Sequence, residues 1–239
     1  MAERRPIRSG PPSLPSLPQR VTDLVVLRRY SSRGKGFLSL TRLLVRNVYE
    51  NGAISRPYRF EMVERRGVDS VALVPFFRRG GRLLVLMKAG FRPALFLRGR
   101  RVAPGEGVRS RCIAFEAVAG SLEPNEVTER RIRARAAREL REEAGYALPP
   151  GHLISLGAGF FPSHGQCTEK IHLFAASLNG ARRVRARGDG SVNEADAFSL
   201  MLEAGDILRR CRRGEIEDPK LEIGVVRLQA ILQGERRSP

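Results

Sequence analysis

Tryptophan is absent from the chain, and only three cysteines (Cys112, Cys167 and Cys211) occur among its 239 residues. That odd number, with no CxxC spacing, suggests neither a disulfide framework nor a zinc knuckle, and it fits a reducing cytoplasm. No uninterrupted apolar run approaches the roughly 18 to 20 residues of a membrane span. Lysine is also scarce: only Lys35, Lys88, Lys170 and Lys220 occur, so 39 of the 43 cationic residues are arginines. Acidic residues number 25, which leaves a formal net charge of +18. Such a field attracts phosphates and speeds their encounter. Arginine in place of lysine also fits a GC-rich coding bias, with the charge spread over solvated faces. Hydrophobic residues at 42% and charged residues at 28% are near globular averages. The length suits one large domain or one domain with an appendage.

The stretch up to about Arg20 contains PPSLPSLP and no apolar core segment, and it predicts an extended tail. It lacks the 7 to 15 residue apolar stretch of a secretory signal. Residues 21–66 predict a small β unit, with short runs at Phe37–Leu40 and Leu43–Val45, an Asn51-Gly52 hairpin signal, and Tyr58–Val63. These strands carry too few apolar residues for an independent core, so the unit is expected to pack on the main domain or on a second subunit, the latter making a homodimer. The rest, 67–239, is expected to be the main domain. Its Val71–Phe77 and Leu83–Met87 runs predict strand, turn, strand in a sheet covered on both faces.

The most informative segment is Gly120–Tyr146, GSLEPNEVTERRIRARAARELREEAGY. Helix formers dominate from Thr128 to Ala144, Ile132, Ala136 and Leu140 recur every four residues as a stripe to bury, and Gly145 stands where a C-terminal cap belongs. Glu139, Glu142 and Glu143 fall at i, i+3 and i+4, so three carboxylates share one face. They repel one another and crowd the helix end where the macrodipole disfavours anions. A divalent cation such as Mg²⁺, which takes oxygen ligands, would hold them. A solvated face balanced by Arg138 and Arg141 would also account for them. The preceding run Arg130–Arg135 reads as a solvated face or a phosphate contact.

The string Gly120, five residues, Glu126, then Arg138-Glu139-Leu140-x-Glu142-Glu143-x-Gly145-Tyr146 resembles the Nudix box, GxxxxxE followed by REUxEExGU. The family places seven residues between the first Glu and the Arg. Here Val127–Ala137 contribute eleven. Four extra residues are about 400° of helix, one turn and about 40°, so they lengthen the helix without turning its carboxylate face away. Glu126 is the expected brace, with Glu123 and Glu129 as substitutes. Flanking segments point to the subfamily of ADP-ribose and nucleoside-diphosphate-sugar pyrophosphatases. Glu116–Gly120 is similar to its ExPAG lead-in, Gly90–Pro93 to QYRP, Phe160–Gly165 to its SPG-type loop, and Gly214–Lys220 to the GxIxDxKT turn.

The resemblance implies an α/β (α+β) fold: an α/β/α sandwich around a mixed β-sheet, with a small N-terminal β-hairpin unit. It also implies Mg²⁺-dependent hydrolysis, with Mn²⁺ as a possible substitute, of ADP-ribose or a related nucleotide sugar to a nucleoside monophosphate and a sugar phosphate. Carried over residue by residue, Glu139, Glu143 and Glu142 bind metal, with the Ala119 carbonyl completing a site. Glu142 and Glu143 are catalytic, and Glu194, in the late acidic loop Asn193–Phe198, is the candidate base. Arg92, Glu116 and Ser163 contact substrate, while Gly120, Glu126, Arg138 and Gly145 brace the site. Glu203 and Asp206 fit less well as bases, because Leu200–Leu208 reads as a helix that exposes them. His152, His164 and His172 are isolated, without zinc spacing. Two alternatives stand beside this reading. One is hydrolysis of another nucleotide, such as a dinucleoside polyphosphate or a coenzyme. The other is a noncatalytic module that binds a nucleotide or nucleic acid. Membrane association is not expected.

Overall fold

A computed structural model describes residues 21–32, 37–65, 67–102, 113–187 and 197–235. The proline-rich segment expected to form a tail and the acidic loop with Glu194 lie outside the described residues. The chain divides into two compact units, which meet in sequence between Met62 and Val63; the stretch Phe37–Leu38 belongs with the second.

The N-terminal unit is built on Val21–Ser32 (β1), Leu38–Tyr49 (β2) and the start of Tyr58–Arg65 (β3), in a sheet of order β1-β2-β3. β2 is one continuous strand of 12 residues where two short runs were expected. Its β-branched and aromatic residues sustain the antiparallel ladder with β1 through Arg42, Arg46 and Asn47, polar positions that read as breaks. Asn51-Gly52 does form a turn: the Gly52 N–H donates to Tyr49 O at 2.9 Å and the Ala53 N–H to Asn51 Oδ1 at 3.0 Å. The chain then runs on to Tyr58 before β3 begins.

The second unit adds Ser70–Arg79 (β4), Arg82–Phe91 (β5), Pro93–Val102 (α1), Ile113–Glu116 (β6) and Val118–Ser121 (β7). Glu129–Glu143 (α2), Tyr146–Ala147 (β8), Ile154–Ser155 (β9), Ile171–Ser177 (β10) and Arg182–Arg183 (β11) follow. Phe198–Glu203 (β12), Ala204–Arg212 (α3) and Pro219–Glu235 (α4) complete it. Seven strands form one mixed sheet of order β12-β5-β4-β10-β9, with β6 on β5 and β7 on β4. β10 runs parallel to β4, while the other pairs are antiparallel.

Strand alternation divides the core. Val71 and Leu73 point to one face, where they meet Val118 and the α2 stripe of Ile132, Ala136 and Leu140. Ala72, Val74 and Phe76 point to the other, against Ile207 of α3 and Leu221, Val225 and Leu228 of α4. Full burial of a residue such as Leu140 or Leu228 contributes about 1.5 to 3 kcal/mol. The result is the expected three-layer arrangement of helix, mixed sheet and helix.

One expectation fails here. Leu200–Glu203 lies in strand β12, and the helix begins only at Ala204. Pairing of Phe198–Glu203 with Ala89–Leu84 of β5 decides the matter, since a free sheet edge outweighs the modest helix preference of Leu-Met-Leu. No helix among the described residues is long and apolar enough to cross a membrane.

Candidate active site

Helix α2 starts after Thr128, whose extended backbone (φ −95°, ψ 149°) makes it the N-cap. It ends where the Ala144 N–H donates to Leu140 O at 3.1 Å and Gly145 takes φ 74°, a left-handed turn that glycine adopts without strain. Packing of the Ile132–Ala136–Leu140 stripe on β4 and β7 carries the neighbouring Glu139 down onto β7, where it is buried. The Glu139 side chain lies directly over Gly120. A Cβ at position 120 would overlap it, so the glycine of the motif is needed for this close approach.

A buried carboxylate requires a partner. For Glu139 it is Arg135, one helical turn earlier and 6% exposed, whose Nη1 lies 3.5 Å from Glu139 Oε1. Arg135 Nε also donates to Glu126 Oε2 at 2.8 Å, and the same oxygen accepts the Glu123 N–H at 2.8 Å. Glu126 thus ties the loop before α2 to the helix, despite the four extra residues between it and Arg138. Glu123 stands further off, with Oε1 3.9 Å from Arg135, and Glu129 pairs on the surface with Arg133.

Glu143 is tied to the sheet from the end of α2. Its Oε2 accepts the Ala119 N–H at 3.3 Å, and its Oε1 lies 3.1 Å from Lys88 Nζ, with both side chains only about a tenth exposed. Lys88 pairs across the ladder with Glu116, whose carboxylate in turn holds Arg92 at 2.6 Å. Arg92 and Glu116, both expected at the substrate, therefore sit together and bridge the end of β5 to β6. Glu142 is different: it is nearly half exposed and has Arg138 3.7 Å away.

The guanidinium buried among the carboxylates is therefore Arg135, from the run read as a solvated face or a phosphate contact, whereas Arg138 is half exposed beside Glu142. Helical geometry explains the difference. Position 135 is four residues before Glu139 and on its face, while position 138 is turned outward. Arg130 and Arg131 are exposed, as the run suggests. Lys88 was not among the candidates. Its signal was available in the sequence: one of four lysines, placed inside Leu83–Ala89, an otherwise apolar strand. Ser163 lies in an exposed turn where its carbonyl accepts the N–H groups of Gln166 and Cys167. No contact among the described residues joins its side chain to the carboxylates. Glu203 and Asp206 pair with Arg82 and Arg209. His172 Nε2 lies 3.1 Å from Asp69 Oδ2. Among the described residues, no three His, Cys, Asp or Glu side chains converge as a ready-made metal cage.

A further residue holds the lead-in to the motif. Asp218 is buried before α4; its Oδ2 accepts the Ala117 N–H at 2.8 Å, and its Oδ1 takes the Lys220 N–H at 3.1 Å and Lys220 Nζ at 2.8 Å. Burial pushes the nearby Cys211 thiol up to about 11, with Glu222 and Asp218 adding to the effect. This thiol is therefore protonated at neutral pH and no nucleophile.

No protein-family model and no curated protein matches the chain. Among solved structures it is similar to the crystal structure of an ADP compounds hydrolase, with TM-score 0.56 and 14% identity over 94% of this chain and 100% of that one. A C. elegans Ap4A hydrolase binary complex gives TM-score 0.41 and 13% identity, over 70% of this chain and 98% of that one. The first likeness establishes a shared fold, a mixed multi-strand sheet with helices packed on it.

Proposed function

We propose that this chain is a Nudix hydrolase that cleaves the diphosphate bond of an ADP-ribose-like nucleotide sugar, releasing a nucleoside monophosphate and a sugar phosphate. The observation that carries the reading is the seating of two motif carboxylates, Glu139 and Glu143, on the adjacent β7 residues Gly120 and Ala119. The fold it shares with an ADP compounds hydrolase supports the substrate class.

The donor set fits Mg²⁺, or Mn²⁺ in its place: Glu139 and Glu143 offer only oxygen atoms, the half-exposed Glu142 is near in sequence, and the Ala119 carbonyl completes the set. When bound there, the ion neutralises charge on the phosphoryl oxygens. In this scheme Glu142, the most accessible of the three, orients a water, with Glu194 as the base. Arg92 binds the substrate phosphate, and Glu116 holds it in position until substrate arrives. Arg135 keeps Glu126 and Glu139 fixed, so that the site is set before substrate enters.

The test is turnover of a panel (ADP-ribose, ADP-glucose, UDP-glucose, a dinucleoside polyphosphate and NADH) with Mg²⁺ and with EDTA. Metal-dependent release of a nucleoside monophosphate is expected, with Glu143→Gln lowering kcat by about 10² to 10³. A folded Glu143→Gln variant with normal turnover would sink the assignment. A second reading, a module that binds nucleotide without turnover, is favoured by one observation: Lys88 Nζ already neutralises Glu143. Saturable binding of ADP-ribose with no product from any member of the panel would select it.

Homodimerisation through the N-terminal unit belongs to the same proposal. β1 is an edge strand, and Leu24, Val25, Val26 and Leu27 are each 40 to 51% exposed, so apolar side chains emerge on both of its faces. Sedimentation should report a dimer, and Val26→Asp should shift it to monomer. An unchanged mass for that variant would exclude β1 from the interface.

A further inference from the structure

The sequence Arg78-Arg79-Gly80-Gly81-Arg82 is the turn between β4 and β5. Gly80 (φ 55°) and Gly81 (φ 77°) take the left-handed conformations of a two-residue hairpin, which sets Arg79 directly opposite Arg82. Like charges placed so repel. Glu203 relieves only one of them, accepting from Arg82 Nε at 3.2 Å and Nη2 at 3.0 Å. The Arg78 and Arg79 guanidiniums have no carboxylate and no hydrogen-bond partner among the described residues.

These arginines border a cavity of about 310 Å³ between the turn and the last turns of α4. That is the small end of the 300 to 1,000 Å³ range of ligand pockets. Leu83 and Leu232 give it apolar walls, Gln229 and Gln233 line it one helical turn apart, and no acidic residue among the described ones lines it. Arg78 pairs with Leu83 in the ladder, so its side chain leaves the sheet on the α4 face. Its backbone is fixed from both sides: Asn179 Oδ1 accepts its N–H at 2.9 Å and Asn179 Nδ2 donates to its carbonyl at 3.2 Å. The cavity lies well away from the motif carboxylates. Ala72, which pairs with Ala119, is six positions before Arg78, or about 20 Å along the strand.

We infer that this cavity is a second, noncatalytic site for a small phosphate monoester of sugar-phosphate or mononucleotide size. The phosphate sits on Arg78, the arginine that leaves the sheet on the cavity's side and whose planar guanidinium matches phosphate oxygens in pairs. The rest of the ligand lies against Leu83 and Leu232, where the Gln229 and Gln233 amides supply both donors and acceptors for hydroxyls or a base. The inference does not rest on the hydrolase assignment, because no residue of the motif takes part.

Calorimetric titration of the full chain with inorganic phosphate and with AMP, in EDTA and at constant ionic strength, tests it. Saturable binding of both is expected. Arg78→Ala should weaken both at least tenfold, and Gln229→Ala should weaken AMP more than phosphate. Arg92→Ala, at the motif site, and Arg182→Ala, which removes an equal charge elsewhere, should leave at least one AMP-binding event intact. Undiminished binding in Arg78→Ala would overturn the inference, and so would an equal loss in Arg182→Ala, which would mark a diffuse charge effect. Absence of phosphate and AMP binding, with a single-stranded oligonucleotide bound through Arg78 and released steeply by salt, would also overturn it in favour of a nucleic-acid surface.

Discussion

The two ends of β4 handle charge in opposite ways. Near Ser70, beside β7, the charges are buried and matched: Arg135 with Glu126 and Glu139, Lys88 with Glu143. At Arg79 the charges are exposed and mostly positive, and among the described residues Arg82 alone of the three arginines has a carboxylate, Glu203. Water makes the difference. A solvated guanidinium needs no counter-ion, whereas one withdrawn from water is tolerated only with partners in good geometry. The +18 total therefore says little of the motif, whose local composition is balanced.

That contrast can be broken most severely at Arg135. Arg135→Met keeps most of the volume but strands two carboxylates, and should cost about 3 to 5 kcal/mol, because breaking a buried pair leaves uncompensated charge. Thermal denaturation should show a midpoint lowered by on the order of 10 °C. A drop of a degree or less would mean that water reaches this cluster freely. Gly120→Ala should cost both stability and turnover: the new methyl group pushes the buried Glu139 side chain off Arg135, so the midpoint should fall by several degrees and kcat about 10-fold to 100-fold. A normal midpoint with normal turnover would show that the strand gives way instead and that the close approach is not needed. The mildest change is Arg82→Ala, which removes a surface pair with Glu203 and should cost less than about 1 kcal/mol. A cost comparable to that of Arg135→Met would erase the distinction between the two ends.

What could be read from the sequence follows the same division. The α2 boundaries, its buried stripe, the Gly145 cap and the β4-β5 hairpin are local patterns of period 3.6 or 2 with their turn residues, and each is found where expected. Arg135 and Lys88 escaped because burial of a cation is decided by partners 9 and 55 positions away, Glu126 and Glu143. An arginine in a run of arginines looks solvated until such a partner is known. β12 was missed for a related reason: Leu200-Met201-Leu202 has no decisive period, and the open edge of β5 makes the choice. Glu194 falls outside the described residues, so its place at the site rests on the resemblance alone.

Asp218 adds a constraint in time. The residue that fixes the Ala117 backbone, two positions before Ala119, comes 101 positions later in the chain. During synthesis the sheet and the carboxylate helix are made first, yet the strand that seats Glu139 and Glu143 is pinned only when the start of α4 has been added. Long-range closure thus completes the site, and chains cut short before Asp218 should hold the whole motif without its final geometry.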